Sequence, residues 1–146
     1  MTYRILVTGS RRFTDAHLMS RALISATVGR DGPITVVHGA ASGADELADV
    51  LVPMLGPHVS LERWPADWNG PCRIICIPGH RRTGPKGEYC PAAGSYRNQQ
   101  MVDAGADVCL AFPLGEARGT HDCMARARAA GIRVVDITRP EPEGLW

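Results

Sequence analysis

Short apolar runs alternate along the chain with segments in which apolar residues recur every three or four positions. Five of the runs have the length of β-strands, and they cover residues 4–8, 34–38, 59–64, 107–112 and 133–137. The first, second and fourth are almost continuously apolar, as is typical of parallel strands that are covered on both faces. The pattern therefore predicts a parallel sheet with helices packed on its two sides.

Most segments between the runs have the spacing of core-facing helices, roughly 3.6 residues per turn. In the first of them, Leu18, Ala22 and Ala26 form the apolar stripe, and Thr14 or Asp15 is the predicted N-cap. Glycine is common directly after the last residue of a helix, where the backbone turns left-handed. The other predicted helices contain Leu47 to Leu55 and stop at Gly56, contain Arg97 to Ala104 and stop at Gly105, and start at Thr120 as N-cap and end at Gly131.

This order of elements predicts an α/β fold. We expect one domain over residues 1–146, with a single Rossmann-like, doubly wound parallel sheet of about five strands in the order 3-2-1-4-5. The switch point then lies between the first and fourth strands, where open sheets of this kind bind their ligands.

Two segments fall outside the pattern. Residues 67–92 form an insert that is rich in proline, glycine, arginine and cysteine and has neither helical nor strand periodicity. A structureless loop of that length is uncommon inside a compact domain, so either something orders it or it is a mobile lid. Residues 139–146 are expected to be a frayed tail.

Three of the predicted strands run into glycine-rich turns, which contain Gly9-Ser10-Arg11, Gly39 to Gly43, and Gly115 to Thr120. Backbone N–H groups and helix dipoles make the shared edge of such turns attractive to phosphate. The GxGxxG spacing is missing, and Ala44-Asp45 stands where a P-loop carries Lys-Ser or Lys-Thr, which argues against a triphosphate hydrolase. We predict a pocket for a phosphorylated small molecule, with a nucleotide as the leading class.

Backbone N–H groups, helped by the hydroxyls of Ser10 and Thr120, are expected to hold the phosphate. Arg11 either pairs with phosphate through its planar fork or is a solvated loop residue. Asp45 either accepts a hydrogen bond from a ribose hydroxyl or caps its helix. The predicted ligand-binding residues are Gly9, Ser10, Arg11, Gly39, Ser42, Gly43, Asp45, Arg97, Asn98, Gly115, Gly119 and Thr120.

For four residues, two of them in this list, the sequence allows two roles each. Arg97 and Asn98 either face the same edge of the sheet or serve as a structural ion-pair partner and a capping residue. Phe13 and Trp68 either stack on a base or belong to the core. For the two aromatic residues the core is the commoner case.

The composition is that of an ordinary soluble domain, with 45% hydrophobic and 21% charged residues and a formal net charge of +1. Such a charge gives no overall field for nucleic acid or for an anionic membrane. No apolar run approaches the roughly 20 residues that span a bilayer, and the N-terminus lacks a signal-peptide pattern. We therefore expect a cytoplasmic protein without a membrane partner, in which the five cysteines are not a disulfide framework.

The insert contains a candidate metal site. Cys72, Cys76, His80 and Cys90 offer four ligands that suit a closed, structural, tetrahedral zinc site, and the metal would order the loop. The alternative is four unrelated residues in a flexible loop. Cys109 and Cys123 are predicted to be small buried hydrophobes. We predict no redox cofactor.

Short motifs recur along residues 3–137 apart from the insert, namely Gly9-Ser10-Arg11-x-Phe13, His38-Gly39-Ala40-x-Ser42-Gly43-Ala44-Asp45, Pro65-Ala66-Asp67-Trp68, Arg97-Asn98-x-x-Met101, Gly105-Ala106-Asp107, Ala111-Phe112-Pro113, Gly119-Thr120 and Ala130-Gly131-Ile132. Together these motifs resemble the SLOG superfamily in its YspA/YpsA-like branch. Members are Rossmann-like, and many are inferred to bind nucleotides or ligands derived from NAD or ADP-ribose. Relatives include LOG-type phosphoribohydrolases and the DNA-processing protein A fold.

The resemblance also bears on catalysis. LOG-type enzymes carry a glutamate after their Gly-Thr motif, and Cys123 stands at the corresponding position here. Ribosyl cleavage needs a carboxyl group, and Asp45, Glu116 or Asp122 are the candidates, although each also fits a solvated face or a helix-start charge. We therefore favour a nucleotide-binding sensor or sequestering module. A nucleotide N-glycosidase, a nucleic-acid-associated protein and homo-oligomer formation stay open.

Overall fold

The computed structural model describes residues 2–73 and 75–137. Its main feature is a five-stranded parallel sheet in the order β3-β2-β1-β6-β7, which confirms the predicted α/β fold and strand order. The sheet strands are β1 (Tyr3–Gly9), β2 (Ile34–His38), β3 (Val59–Arg63), β6 (Val108–Phe112) and β7 (Arg133–Asp136). The predicted tail, residues 139–146, lies outside the described residues.

Four helices connect the strands. Asp15 is the N-cap of the first, because its Oδ1 accepts a hydrogen bond from the backbone N–H of Leu18 at 3.0 Å. This contact decides between the two predicted caps. The helices are α1 (Ala16–Thr27), α2 (Ala44–Leu51), which continues into the 3-10 turn Val52–Leu55, α3 (Ala93–Ala104) and α4 (Arg118–Ala129).

One predicted helix start is wrong, and another helix is longer than the predicted segment. Helix α3 contains the predicted residues Arg97 to Ala104 and begins earlier, at Ala93, where Ala93 N–H donates to Cys90 C=O at 3.1 Å in the preceding turn. Helix α4 begins at Arg118, so Thr120 lies in its first turn instead of capping it. The N-cap is Ala117, in a left-handed conformation that no capping preference predicts.

The helices cover both faces of the sheet. On one face, Met19 and Leu23 of α1 and Ala48 of α2 pack against Val36 and Leu110. On the other, residues of α3 and α4 pack against the opposite sides of the same strands, in a cluster of Leu6, Val37, Met101, Val102, Cys109, Cys123, Ala127 and Ile132. Strands buried on both sides explain the nearly continuous apolar runs.

The insert contains a short antiparallel hairpin, although its sequence shows no strand periodicity. The hairpin pairs β4 (Arg82–Gly84) with β5 (Gly87–Tyr89), and Asn69 Nδ2 donates to the carbonyls of Lys86 and Glu88 at 3.3 and 2.9 Å. Strands of three residues are too short for an alternating pattern to be visible. Among the described residues, no helix has the length and apolar character to cross a membrane.

Candidate ligand cleft and metal centre

A cleft of about 840 Å³ lies at the carboxyl edge of the sheet, next to the ends of β1 and β6. Strand β1 pairs with β2 on one side and with β6 on the other, so the cleft stands at the predicted switch point. The structure brings most of the predicted ligand-binding residues together in the lining, namely Gly9, Ser10, Arg11, Gly39, Asp45, Arg97, Asn98, Gly115, Gly119 and Thr120.

Ser42 and Gly43 do not line the cleft. Gly43 acts from behind it: its φ is +76°, and an added Cβ would lie 2.4 Å from the Ser10 carbonyl oxygen. Only glycine therefore lets helix α2 start against the β1 turn, where Ala44 N–H donates to that same oxygen at 3.2 Å.

Three helices begin beside the cleft without a side-chain cap. Their N-cap residues are Gly43, Ala92 and Ala117, and none of these caps its helix with a side-chain hydrogen bond. Helix α1, whose residues do not line the cleft, has the Asp15 cap. The first residues of α4 and an early turn of α3 belong to the lining. Uncapped N–H groups and helix dipoles make this edge suitable for an anion.

The hydroxyl of Ser10 shapes the turn after β1. Ser10 is buried, and its Oγ accepts a hydrogen bond from Arg12 N–H at 3.1 Å, while its backbone N–H continues the ladder to Phe112 C=O at 3.0 Å. Thr120 is also buried, at the start of α4. Both residues thus lie in the lining, and the hydrogen bond from Arg12 N–H holds the Ser10 hydroxyl in place.

Arg97 is buried beneath the cleft and is tied to two backbone carbonyls. Its Nη1 donates to Gly39 C=O and, at 3.3 Å, to Trp64 C=O. A Cβ on Gly39 would lie 2.4 Å from this nitrogen, so the glycine makes room for the guanidinium. Burial lowers the pKa of Arg97, and the negative charge of Asp45 opposes that shift.

Asn98 joins α3 to α4, so the capping interpretation is wrong. Its Nδ2 donates to Gly119 C=O at 3.2 Å and to Asp122 Oδ2 at 3.0 Å. The same Asp122 oxygen accepts from Arg126 Nε at 3.0 Å. Asp122 also lines the cleft, and two donors already bind one of its carboxylate oxygens.

Asp45 is the buried acid of the cleft. Its Oδ2 accepts hydrogen bonds from the backbone N–H groups of Gly39 and Ala41, both at 3.1 Å, and so fixes the β2–α2 turn. Its Oδ1 is buried and has no hydrogen-bond partner. Burial raises the pKa of Asp45, against the opposing effects of the two N–H donors, His38 and Arg97.

The two predicted aromatic residues have different positions. Phe13 is 2% exposed and its ring lies 4.9 Å from that of Phe112, centroid to centroid, so it belongs to the core. Trp68 lines the cleft, and the Arg11 guanidinium carbon lies 5.6 Å from the centre of its ring. Only Trp68 is placed to contact a ligand.

The four predicted metal ligands of the insert meet in one cluster. Their ligand atoms all lie within 4.8 Å of one another, and the group has the composition Cys3His. His80 Nε2 is 3.0 Å from Cys72 Sγ and 3.3 Å from Cys90 Sγ, and Cys76 Sγ is 4.0 Å from Cys90 Sγ. A tetrahedral zinc site requires about 3.8 Å between sulfurs and about 3.5 Å between sulfur and nitrogen. The cluster could hold a metal ion.

Neighbouring groups connect this cluster to the cleft. Tyr96 Oη lies 2.6 Å from Cys76 Sγ, and Cys90 N–H donates to Trp68 C=O at 2.8 Å. The hydrogen bond from Tyr96 lowers the pKa of Cys76, and the same bond raises the pKa of Tyr96 to about 12. Tyr96 belongs to the first turns of α3, between Gly94 and Arg97, which both line the cleft.

Sequence reasoning missed several supporting residues. Tyr96 has no spacing signal. Arg12 and Arg118 also line the cleft, and their places beside the glycine turns were the available signal. His38, fully buried, holds the β2 turn with both ring nitrogens: Nδ1 accepts from Ala40 N–H at 2.9 Å, and Nε2 lies 2.6 Å from Asp49 Oδ1.

Cys109 and Cys123 are fully buried, as predicted for small hydrophobes. Burial raises the pKa of both thiols, that of Cys123 to about 11. Neither side chain lines the cleft.

The fold and the site define a Rossmann-like α/β protein with an edge cleft and a Cys3His cluster beside it. The chain is 40% identical over 137 residues to the Gene 61 protein of Mycobacterium phage D29. The aligned region covers 92% of this chain and 95% of the phage protein. It belongs to the family of that phage protein. No model of a known protein family matches the chain.

Proposed function

We propose that the chain binds a nucleotide or a nucleotide-derived ligand, of the NAD or ADP-ribose kind, in the cleft at the carboxyl edge of the sheet. It acts as a sensor or sequestering module. One observation carries this proposal. The N-termini of α3 and α4 have no side-chain cap and lie at the same cleft, and Arg11 lines that cleft too. The motif resemblance to the SLOG superfamily agrees with it.

The arginine side chains and the aromatic ring in the cleft lining favour a ligand that has both an anionic group and a flat ring. Arg11, Arg12 and Arg118 line the cleft together with the buried Arg97. Arginine forks and free backbone N–H groups are the usual partners of phosphate. Trp68 adds an aromatic face on which a base can stack.

Binding without turnover is favoured over N-glycosidic cleavage. Cys123, which replaces the glutamate of LOG-type enzymes, is fully buried, and its raised pKa keeps the thiol neutral at pH 7. Asp122 already accepts two hydrogen bonds on one oxygen, and Asp45 is committed to its turn through Oδ2. Each of these two carboxyl groups is thus held by two donors, whereas Glu116, the third candidate, lines the cleft at an exposed position and is the carboxyl group to replace if turnover is found.

We also propose that the Cys3His cluster holds a structural zinc ion. Three thiolates and an imidazole form a closed ligand set without a position for substrate. Tyr96 and Arg81 surround the sulfurs, since Tyr96 Oη donates to Cys76 and Arg81 Nη1 lies 3.6 Å from Cys72 Sγ. Such outer contacts orient metal ligands.

Calorimetric titration of the purified protein with AMP and with ADP-ribose tests the nucleotide proposal. We expect binding of at least one of them, weakened about tenfold or more in Arg11→Ala, because a charge-assisted hydrogen bond to phosphate is lost. Arg30→Ala is the matched control, since Arg30 lies over Tyr3 and outside the cleft lining. Release of free base from AMP would replace the binding proposal with the hydrolase, and an absence of heat with both compounds would reject it.

A further inference from the structure

Asp45 carries an unused hydrogen-bond acceptor in the lining of the cleft. The residue is 6% exposed, and Oδ1 is the only buried side-chain oxygen or nitrogen of the described residues that lacks a partner. A buried polar atom without a partner costs free energy in the empty protein. A ligand that supplies a donor at this point recovers that cost.

The position of Asp45 limits which part of a nucleotide can supply the donor. Helix α2 is bound directly to the β1 turn, because Ala44 N–H donates to Ser10 C=O at 3.2 Å. A Cβ on Gly9 would lie only 2.4 Å from Ala44 Cβ, so the two segments are in contact. Asp45 therefore stands next to the turn to which the phosphate is assigned. In a nucleotide the sugar is the group attached directly to the phosphate.

The orientation of the carboxylate is fixed from the other side. Oδ2 accepts from Gly39 N–H and Ala41 N–H, so a rotation that brought Oδ1 to those donors would leave Oδ2 without them. Arg97 directs Nη1 and Nε to Gly39 C=O, Trp64 C=O and Asn98 Oδ1, and none of its nitrogens bonds to Oδ1. Oδ1 is thus left as the free acceptor of a residue that lines the cleft.

We infer that Asp45 Oδ1 accepts a hydrogen bond from a ribose hydroxyl of the bound nucleotide, so that the cleft selects a ribonucleotide over a deoxyribonucleotide. This inference rests on the proposed nucleotide binding. It deepens that proposal, because it makes the sugar and not only the phosphate a determinant of which ligand binds. A site built to accept from a hydroxyl rejects an analogue that lacks it, since the buried oxygen is then left unpaired.

Asp45→Asn tests the assignment with little change in shape. Its amide oxygen keeps the two backbone N–H donors, and its NH2 group takes the place of Oδ1, which turns the acceptor into a donor. Glu46→Gln is the matched control, since it removes the same charge from the same turn of α2 at an exposed position outside the lining. Each protein is titrated with AMP, 2′-deoxy-AMP and 3′-deoxy-AMP.

We expect the wild type and Glu46→Gln to bind AMP about tenfold or more tightly than at least one deoxy analogue, because a hydrogen bond to a buried charge is lost. In Asp45→Asn this preference should shrink severalfold, because the amide NH2 can offer the hydroxyl oxygen only a neutral hydrogen bond. Equal binding of all three nucleotides by the wild type overturns the inference, and so does a preference of undiminished size in Asp45→Asn. A uniform loss for all three nucleotides in Asp45→Asn also overturns it, because the donor then lies elsewhere on the ligand. If no nucleotide binds the wild type, the proposed function itself fails.

Discussion

The cleft and the Cys3His cluster are neighbours, yet they differ in how much apolar surface is buried around them. The cleft lies on a sheet whose strands are buried on both faces, with Ile5, Leu6 and Val36 fully buried. In the described part of the insert, residues 67–73 and 75–92, Cys90 is the only buried residue, and Ile75 and Ile77 are each 77% exposed. Hydrophobic burial can therefore order the first region but contributes little to the second, where the proposed zinc ion would supply the missing folding free energy.

Loss of the metal is the largest effect that this comparison predicts. Cys90→Ser should lower the zinc content from about one ion per chain to nearly none, because a closed tetrahedral site needs all four ligands. The insert should then be cut by trypsin at Arg73, Arg81 or Arg82, while the sheet stays folded. Elemental analysis and limited proteolysis measure the two effects.

Cys123→Ala is the control for this prediction, since it removes a thiol that lies outside the cluster. It should keep the zinc. A Cys90→Ser protein that keeps both its metal and a protease-resistant insert would contradict the assignment.

A substitution in the core should lower the stability of the sheet and leave the zinc content unchanged. Phe13→Ala should lower the free energy of unfolding by about 3–5 kcal/mol, because it removes a buried ring that packs on Phe112. The zinc content of the folded protein should not change. Urea unfolding gives the first quantity and elemental analysis the second, and a joint loss of metal and stability would show that the two regions are not held independently.

Asp45→Asn should remove a pH dependence from the stability of the empty protein, because an amide does not titrate. The pKa of Asp45 is raised in the folded state, so the folded protein binds the proton more tightly than the unfolded chain. Wild-type stability should therefore fall as pH rises from the ordinary range of an aspartate through the folded pKa. The variant should lack this fall in thermal unfolding measured from pH 4 to pH 8, whereas parallel pH curves would contradict the prediction.

The smallest expected effect concerns an ion pair on the sheet. Arg4 donates to both oxygens of Glu62, and these hydrogen bonds lower the pKa of Glu62. The pair stabilises the fold above the ordinary pKa of a glutamate, and this contribution is lost as pH falls. Because the pair is partly exposed and screened, Glu62→Gln should cost no more than about 1 kcal/mol at neutral pH. A chemical-unfolding difference from wild type that does not shrink on acidification would contradict this account.

Local signals were enough for much of the fold and for many of the residues that line the cleft. The continuous apolar runs predicted the strands, and the helix-ending glycines Gly56, Gly105 and Gly131 bounded the connections. The right-handed crossover rule then predicted which turns meet at the switch point, because it leaves few topologies for this order of elements. The four residues of the Cys3His cluster were predicted from residue type and from their spacing within the insert, and the structure brings them together.

The remaining features depend on contacts between distant segments. Asn98 had two interpretations, and the structure shows it in the cleft lining with a bridge to Asp122. Tyr96 reaches the sulfur of Cys76 across 20 positions of sequence. The start of α3 follows from a turn at Cys90, and the start of α4 from the left-handed Ala117. No local propensity encodes such pairings.

By itself, the sequence determined the α/β order, the strands buried on two faces, the glycine turns and the Cys3His ligand set, because apolar period and residue type act over a few neighbouring positions. Only the tertiary structure decided that Asp45 keeps one oxygen unpaired, that Arg97 lies under Gly39, and that the Cys3His cluster adjoins the cleft through α3. Whether a polar atom finds a partner depends on what the rest of the chain brings to it, and that is settled only when the sheet and its helices pack together.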